Sequence, residues 1–393
     1  MRIVYLLPGG LFNPGGMERV ITVKANYLAE VLGYEVFIVT TEQMGRPVFY
    51  PLSSKVHPCH IDIHIGKYFG KENYIRKLTR RFFKIKEYKK RVAELLEEIR
   101  PDITITTLGG LDIEFVNDLK DGSIKIGELH FPGTFRRIQT RKMYSSLFTN
   151  LVAEIITTGF IKKCKKLKRL VVLTEEEKSF WDDTRNILVI PNPLPFVSEK
   201  FSTTENKKAI AVGRLVYEKG FDMLIEAWKK VAEKHPDWEL DIFGNDWGQK
   251  DALLQLITDN HLENEVKLCE PVKDIQNVYP EYSMFILPSR YMEALPMVLL
   301  EAMACGVPLV AFDAPCGPKD VIREGKNGFL IKTGEIDVLA DKINRLIESP
   351  DMRKTMGHTA AEMSVDYRVE KIMARWDQLF KELVNEKNSS IGN

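Results

Sequence analysis

Cysteine is scarce in this 393-residue chain, and the five present, Cys59, Cys164, Cys269, Cys305 and Cys316, are scattered without a C-x-x-C pair. That pattern argues against a disulfide framework or a zinc site and predicts a reducing, cytoplasmic setting. No run of about 18 uninterrupted apolar residues occurs, so no transmembrane helix is expected. The opening residues, MRIVYLLPGG, run straight into a strand-like pattern rather than the ordered segments of a secretion signal. The G-x-G-x-x-G fingerprint is also missing, which disfavours an NAD oxidoreductase.

Net charge is nearly absent too, at +1, but it hides an asymmetry. Residues 1–190 carry 31 Lys and Arg against 22 Asp and Glu, and the remainder carry 25 against 33. Much of the basic excess lies in 67–91, with 11 basic and two acidic residues, interleaved with Tyr68, Phe69, Tyr74, Phe82 and Phe83. Arg136, Arg137, Arg141 and Lys142, then the stretch 162–169, add further clusters. Such a surface suits an anionic membrane face or a phosphate-bearing acceptor, and a solvated helix face accounts for it equally. Nucleic acid is disfavoured, because the acidic half offsets the excess and no recognition motif appears.

What is present in quantity is alternation. Apolar, β-branched runs at 2–7, 35–40, 102–107, 124–130, 169–174 and 187–191 are separated by helical patterns, notably 16–32 and 86–99. A polar, aperiodic stretch from 196 to 208 reads as a linker. Strand-like runs then resume at 209–212, 239–243, 266–269, 284–288, 309–312 and 329–331, and the tail from Asp337 is nearly all helical. This predicts an α/β protein of two Rossmann-like domains with parallel sheets, spanning 1–195 and 205–365, with 366–393 crossing back to the first. The site is expected in the cleft between them, at the carboxyl ends of the strands.

Three segments there carry chemistry. In PGGLFNPGGMERV (8–20), Gly9, Gly10, Gly15 and Gly16 let backbone approach a ligand, and a helix starting near Gly16 aims its amides there. In GRLVYEKG (213–220), Gly213, Arg214 and Lys219 lie where a strand opens into a loop, and two cations there can neutralise a diphosphate. In SRYMEALPMVLLEAMACG (289–306), Glu301 stands alone among Leu, Met, Val and Ala. A buried lone carboxylate needs hydrogen-bond donors, and ribose hydroxyls are suitable ones. Glu293 precedes that helix, with the amides of Ala294, Leu295 and Met297 nearby and Pro296 suited to its first turn. A structural ion pair is the plain alternative for either glutamate.

Glu293 and Glu301, with seven residues between them, resemble the E-x7-E motif of retaining glycosyltransferases of family 4. GGMER, GRL with KG, and IPNP before the linker match in the same order, over essentially the whole chain. The resemblance implies the GT-B fold, with Glu293 on the donor sugar and Glu301 on the ribose. His130 in GELHFPG is similar to a histidine that family members place near sugar and acceptor, and Cys316-Gly317-Pro318 looks like the family's Gly-Pro loop beneath the donor. Where the family often has Gly-Phe-Gly after the first glutamate, this chain has Ala294-Leu295-Pro296. That variant looks like enzymes of surface-polysaccharide and lipid-linked-oligosaccharide assembly.

The implied reaction moves a hexose from a nucleoside diphosphate sugar, UDP preferred, to a glycan or polyprenyl-diphosphate-linked saccharide. His130, Arg214, Lys219 and Glu293 are the catalytic candidates. Donor binding is expected of Gly15, Gly16, Gly213, Arg214, Lys219, residues 293–297 and Glu301. No cofactor is expected, and no metal, since Asp-x-Asp is absent. A nucleotide-sugar epimerase on the same fold is the alternative enzyme, and a non-catalytic polysaccharide-assembly scaffold the alternative outside catalysis.

Overall fold

The computed structural model describes residues 1–63, 74–131, 147–181, 185–291 and 293–391. Arg136, Arg137, Arg141 and Lys142 lie outside them, as do Lys67, Tyr68, Phe69 and Lys71. The described chain divides into two compact units, Met1–Pro193 with Val369–Asn393, and Leu194–Arg368.

The first unit runs β1 (Arg2–Leu7), α1 (Gly16–Glu30), β2 (Glu35–Thr40), β3 (Val56–His60), α2 (Tyr74–Ile99), β4 (Ile103–Thr106), β5 (Ile124–Glu128), α3 (Leu147–Cys164), β6 (Arg169–Val172), α4 (Glu175–Ser179) and β7 (Ile187–Val189). Its seven-stranded sheet has the order β3-β2-β1-β4-β5-β6-β7, parallel throughout. The inner strands are continuous apolar runs because both sheet faces are covered. One face packs Ile21, Ala25 and Leu28 of α1, and the other packs Tyr88, Val92 and Leu96 of α2. Thr174 caps α4 by accepting a hydrogen bond from the Glu177 amide at 3.1 Å.

The second unit runs β8 (Lys208–Val212), α5 (Phe221–Lys234), β9 (Glu239–Phe243), α6 (Lys250–Asp259), β10 (Val266–Cys269), β11 (Met284–Leu287), α7 (Met297–Ala304), β12 (Leu309–Phe312), α8 (Pro318–Val321), β13 (Gly328–Ile331), α9 (Ile336–Glu348) and α10 (Pro350–Ser364). Its sheet, β10-β9-β8-β11-β12-β13, is also all parallel. Each order reverses direction in sequence beside the unit's first strand, β1 next to β4 and β8 next to β11. Loops diverge at that switch point, which leaves a crevice at the strands' carboxyl ends.

The last helix, α11 (Val369–Ile391), belongs to the first unit. Trp376, Met373 and Phe380 sink into the core beneath α1, and the Trp376 and Phe380 rings meet at a tilt of 46° with centres 5.4 Å apart. Residues of the expected linker dock on the second unit: Ser202 donates its amide to the Cys305 carbonyl and its hydroxyl to Tyr282 O. Three boundaries differ from expectation. β3, VHPCH, is an edge strand whose outer residues are exposed, so it lacks a continuous apolar run. β5 ends at Glu128, leaving His130 two residues beyond it. α7 begins at Met297 with Pro296 as its extended N-cap, because a residue before proline is pushed out of the helical region.

Trp376 is fully buried, so Trp376→Ala should cost about 3–5 kcal/mol of unfolding free energy. Urea denaturation followed by far-UV circular dichroism checks it, and a loss below about 1 kcal/mol would show that α11 docks only loosely.

Candidate functional site

In the second unit, three loops at the switch point are locked by backbone contact. Gly220 is left-handed, with φ +66°, and caps α5. A side chain there would run into the Pro288 carbonyl, and one at Gly244 would run into the Gly213 carbonyl. Arg290 ties the first and third loops together. Its amide donates to Glu218 O at 2.9 Å, and its guanidinium donates to Tyr217 O and Asp222 Oδ1, both at 2.7 Å. The second fork of that guanidinium reaches Asp222 Oδ2, and the group lies 4.1 Å from the Tyr217 ring centre.

This staple brings Lys219 to Glu293. Lys219 Nζ stands 2.5 Å from Glu293 Oε1, and the Ser289 hydroxyl donates to the same oxygen at 2.6 Å. Glu293 is buried while Lys219 stays partly open, so the pair has one solvent-facing side. Arg214 is exposed, with its guanidinium 5.1 Å from the exposed Trp247 ring. Glu301 is buried in α7, where the Tyr279 hydroxyl donates to Oε2 at 3.3 Å. Gly317, with φ +140°, packs against the 294–296 backbone: a Cβ there would stand 2.9 Å from Ala294 O and 2.8 Å from Pro296 Cδ. The structure therefore brings Lys219 and Glu293 into contact, with Gly317 on Ala294 and Pro296, and gives Arg214 and Glu301 separate partners.

In the first unit, Gly15 is the extended N-cap of α1, and the Glu18 carboxylate folds against it. Past the end of β5, His130 is buried beside Glu128, its Nε2 3.4 Å from Glu128 Oε1. Lys24 of α1, fully buried, places Nζ 2.5 Å from the same Oε1. Burial alone would raise the Glu128 carboxyl, but the Lys24 ammonium and His130 outweigh it and hold it at about 2. Burial pushes the Lys24 ammonium below its ordinary value.

Sequence reading missed Ser289, Arg290, Asp222, Tyr279, Lys24 and Glu128. Lys24 had a signal, for it falls on the apolar stripe of α1 with Val20, Ile21, Ala25 and Leu28. Arg290 and Asp222, 68 residues apart, had none. Among the described residues no group of three or more His, Cys, Asp or Glu side chains is placed to hold a metal ion, and no helix is long and apolar enough to cross a membrane.

Comparison with known proteins agrees with this architecture. Residues 196–363 match the family of glycosyl transferases group 1. An uncharacterized glycosyltransferase of Haemophilus influenzae is 30% identical over 372 residues, covering 93% of this chain and 96% of that protein. The amylovoran biosynthesis glycosyltransferase AmsD of Erwinia amylovora is 28% identical over 398 residues, covering 95% and 98%. A crystal structure of a Staphylococcus aureus TarM variant with fondaparinux, α-GlcNAc-glycerol and UDP superposes with a TM-score of 0.75 at 18% identity, over 96% of this chain and 99% of that one. The chain belongs to the group 1 glycosyltransferases and has the GT-B fold. It is a glycosyltransferase related to enzymes of polysaccharide biosynthesis.

Glu128 titrates at about 2 in the fold against an ordinary 4.5, so its contribution is complete above 4.5 and is lost as pH falls toward 2. Urea unfolding free energies at a series of acidic pH values should therefore fall less steeply in Glu128→Gln than in the native chain. Equal slopes would mean the carboxyl is not held ionised.

Proposed function

We propose that the chain transfers a hexose from a UDP-sugar to a hydroxyl of a glycan or polyprenyl-diphosphate-linked saccharide, retaining the anomeric configuration, in surface-polysaccharide assembly. The Lys219–Glu293–Ser289 contact beside the β8/β11 switch point is the observation that carries this reading. It sets a cation and a carboxylate side by side where a sugar diphosphate has both kinds of group to meet. Arg214 and Lys219 receive the diphosphate, and leaving-group charge is stabilised by cations already in position. Glu293 and the amides of Ala294, Leu295 and Met297 take the sugar, Glu301 takes the ribose, and His130 faces sugar and acceptor. Gly15 and Gly16 bring the α1 amides to the donor. Without an Asp-x-Asp pair in the sequence, these side chains and amides carry the charge stabilisation in place of a metal. The UDP in the TarM variant structure supports the choice of nucleotide, and the AmsD name supports the pathway class. An epimerase would convert UDP-GlcNAc with no acceptor, and the family and relatives favour transfer.

The first unit has a second feature bearing on its partner. Phe82 and Phe83 of α2 are 66% and 67% exposed, beside exposed Arg81, Lys86 and Lys90. Paired phenylalanines among cations suit the anionic inner face of a cytoplasmic membrane, where a polyprenyl-linked acceptor would be met.

Saturation-transfer NMR against UDP-, GDP- and ADP-sugars identifies the donor, with UDP-sugars expected to bind. Lys219→Ala and Glu301→Ala should each cut turnover on the order of 100-fold with cooperative unfolding retained. Native turnover in either variant would sink the assignment. Co-sedimentation with phosphatidylglycerol-rich vesicles should be salt-sensitive and lost in Phe82→Ser/Phe83→Ser. Equal recovery with pure phosphatidylcholine would dismiss the anionic membrane face.

A further inference from the structure

The carboxyl end of β5 holds a charge cluster of which the proposed chemistry uses only His130. The Lys24 and Glu128 side chains are 0% and 1% exposed. The Lys24 ammonium lies 3.8 Å from the Trp376 ring centre on α11 and 5.6 Å from that of Tyr5. His130 Nε2 approaches the same Glu128 oxygen that Lys24 holds. Glu128 Oε2, His130 Nε2 and Tyr5 Oη are buried without a hydrogen-bond partner. If the cluster served only to dock α11, apolar packing would do as well, since desolvating two charges roughly cancels their attraction. Unbonded polar atoms are uncommon in protein interiors, and three around one ion pair ask for an explanation.

We infer that Glu128, paired with the Lys24 ammonium, positions the His130 imidazole by accepting its Nε2–H, leaving the other ring nitrogen for a hydroxyl of the sugar or acceptor. This rests on the reading that His130 faces the reacting sugar. At 3.4 Å the pair lies just beyond the usual N–H···O range, and a small approach and turn of the ring would complete the hydrogen bond. Contacts of this kind are often long before substrate binds. Lys24 and Glu128 are positioning residues, since their own side chains are sealed from solvent. Trp376 covers the ammonium, which makes α11 part of the support of His130.

The test uses the full chain and whichever sugar nucleotide of the panel turns over fastest, read as nucleoside diphosphate release. Glu128→Gln should lower kcat about tenfold or more while the donor KM stays within about twofold. In a His130→Ala background the same substitution should cost less than about twofold, since its effect passes through the imidazole. The 15N shifts of the His130 ring should report the Nε2–H tautomer in the native chain and a changed mixture in Glu128→Gln. Should Glu128→Gln fail to fold, Lys24→Met/Glu128→Leu removes both charges together and should show the same loss of kcat and of tautomer. An equal cost with and without His130, or an unchanged tautomer, overturns the inference. If His130→Ala turns over at the native rate, the reading of His130 as a site residue fails instead, and the tautomer alone decides the positioning contact.

Discussion

The carbonyls of Pro288 and Gly213 sit where side chains at Gly220 and Gly244 would have to go. That backbone contact is the constraint from which the rest of the second unit's site follows. Three loops leave neighbouring parallel strands, and only glycine lets them close to van der Waals distance. Once closed, they have few relative motions left. Arg290 then adds a fork onto Asp222 and a stack on Tyr217, so the 213–220 loop is pinned from backbone and side chain together. The Lys219–Glu293 contact, across 74 residues of sequence, is a consequence of that closure rather than its cause.

The two units each carry a Lys–Glu pair at the carboxyl end of their sheet, and they differ in exposure. Lys219 keeps 19% of its side chain open, whereas Lys24 keeps none. A partly open pair can exchange its partner for an incoming anion at modest cost, because water still solvates the ammonium as it moves. A sealed pair cannot: releasing either member strands a charge in the interior. The open pair therefore suits ligand exchange, and the sealed pair suits holding something still. Beside the sealed pair lies His130, and what seals the pair is a helix from the far end of the chain, α11.

Much of this was legible in sequence because it is periodic. Parallel strands buried on both faces read as short apolar runs, and their alternation with helices marks two doubly wound sheets. The glycines of 213–220 and the lone carboxylate of α7 were equally plain, since each breaks its local pattern. β3 was not, because an edge strand shows the core only one face and its VHPCH carries a proline and two histidines. Arg290 was hidden for another reason: in sequence an arginine after a strand reads like any surface arginine, and its partner is fixed only by tertiary closure. Lys24 stood in between. A lysine on the buried stripe of α1 is a visible anomaly, but its counter-charge on β5 is 104 residues away.

The Ala294-Leu295-Pro296 stretch shows how a departure from a family pattern can be absorbed without loosening the loop. Glycines there would leave the backbone after Glu293 free to adopt several paths, at an entropic cost on closure. In this chain Pro296 fixes its own φ and disfavours the helical region at Leu295. The facing wall is Gly317, whose φ of +140° lets its backbone lie against Ala294 O and Pro296. The amides of 294, 295 and 297 are consequently presented by a stiff segment, so any ligand they meet finds a shape already built rather than a loop that must fold around it.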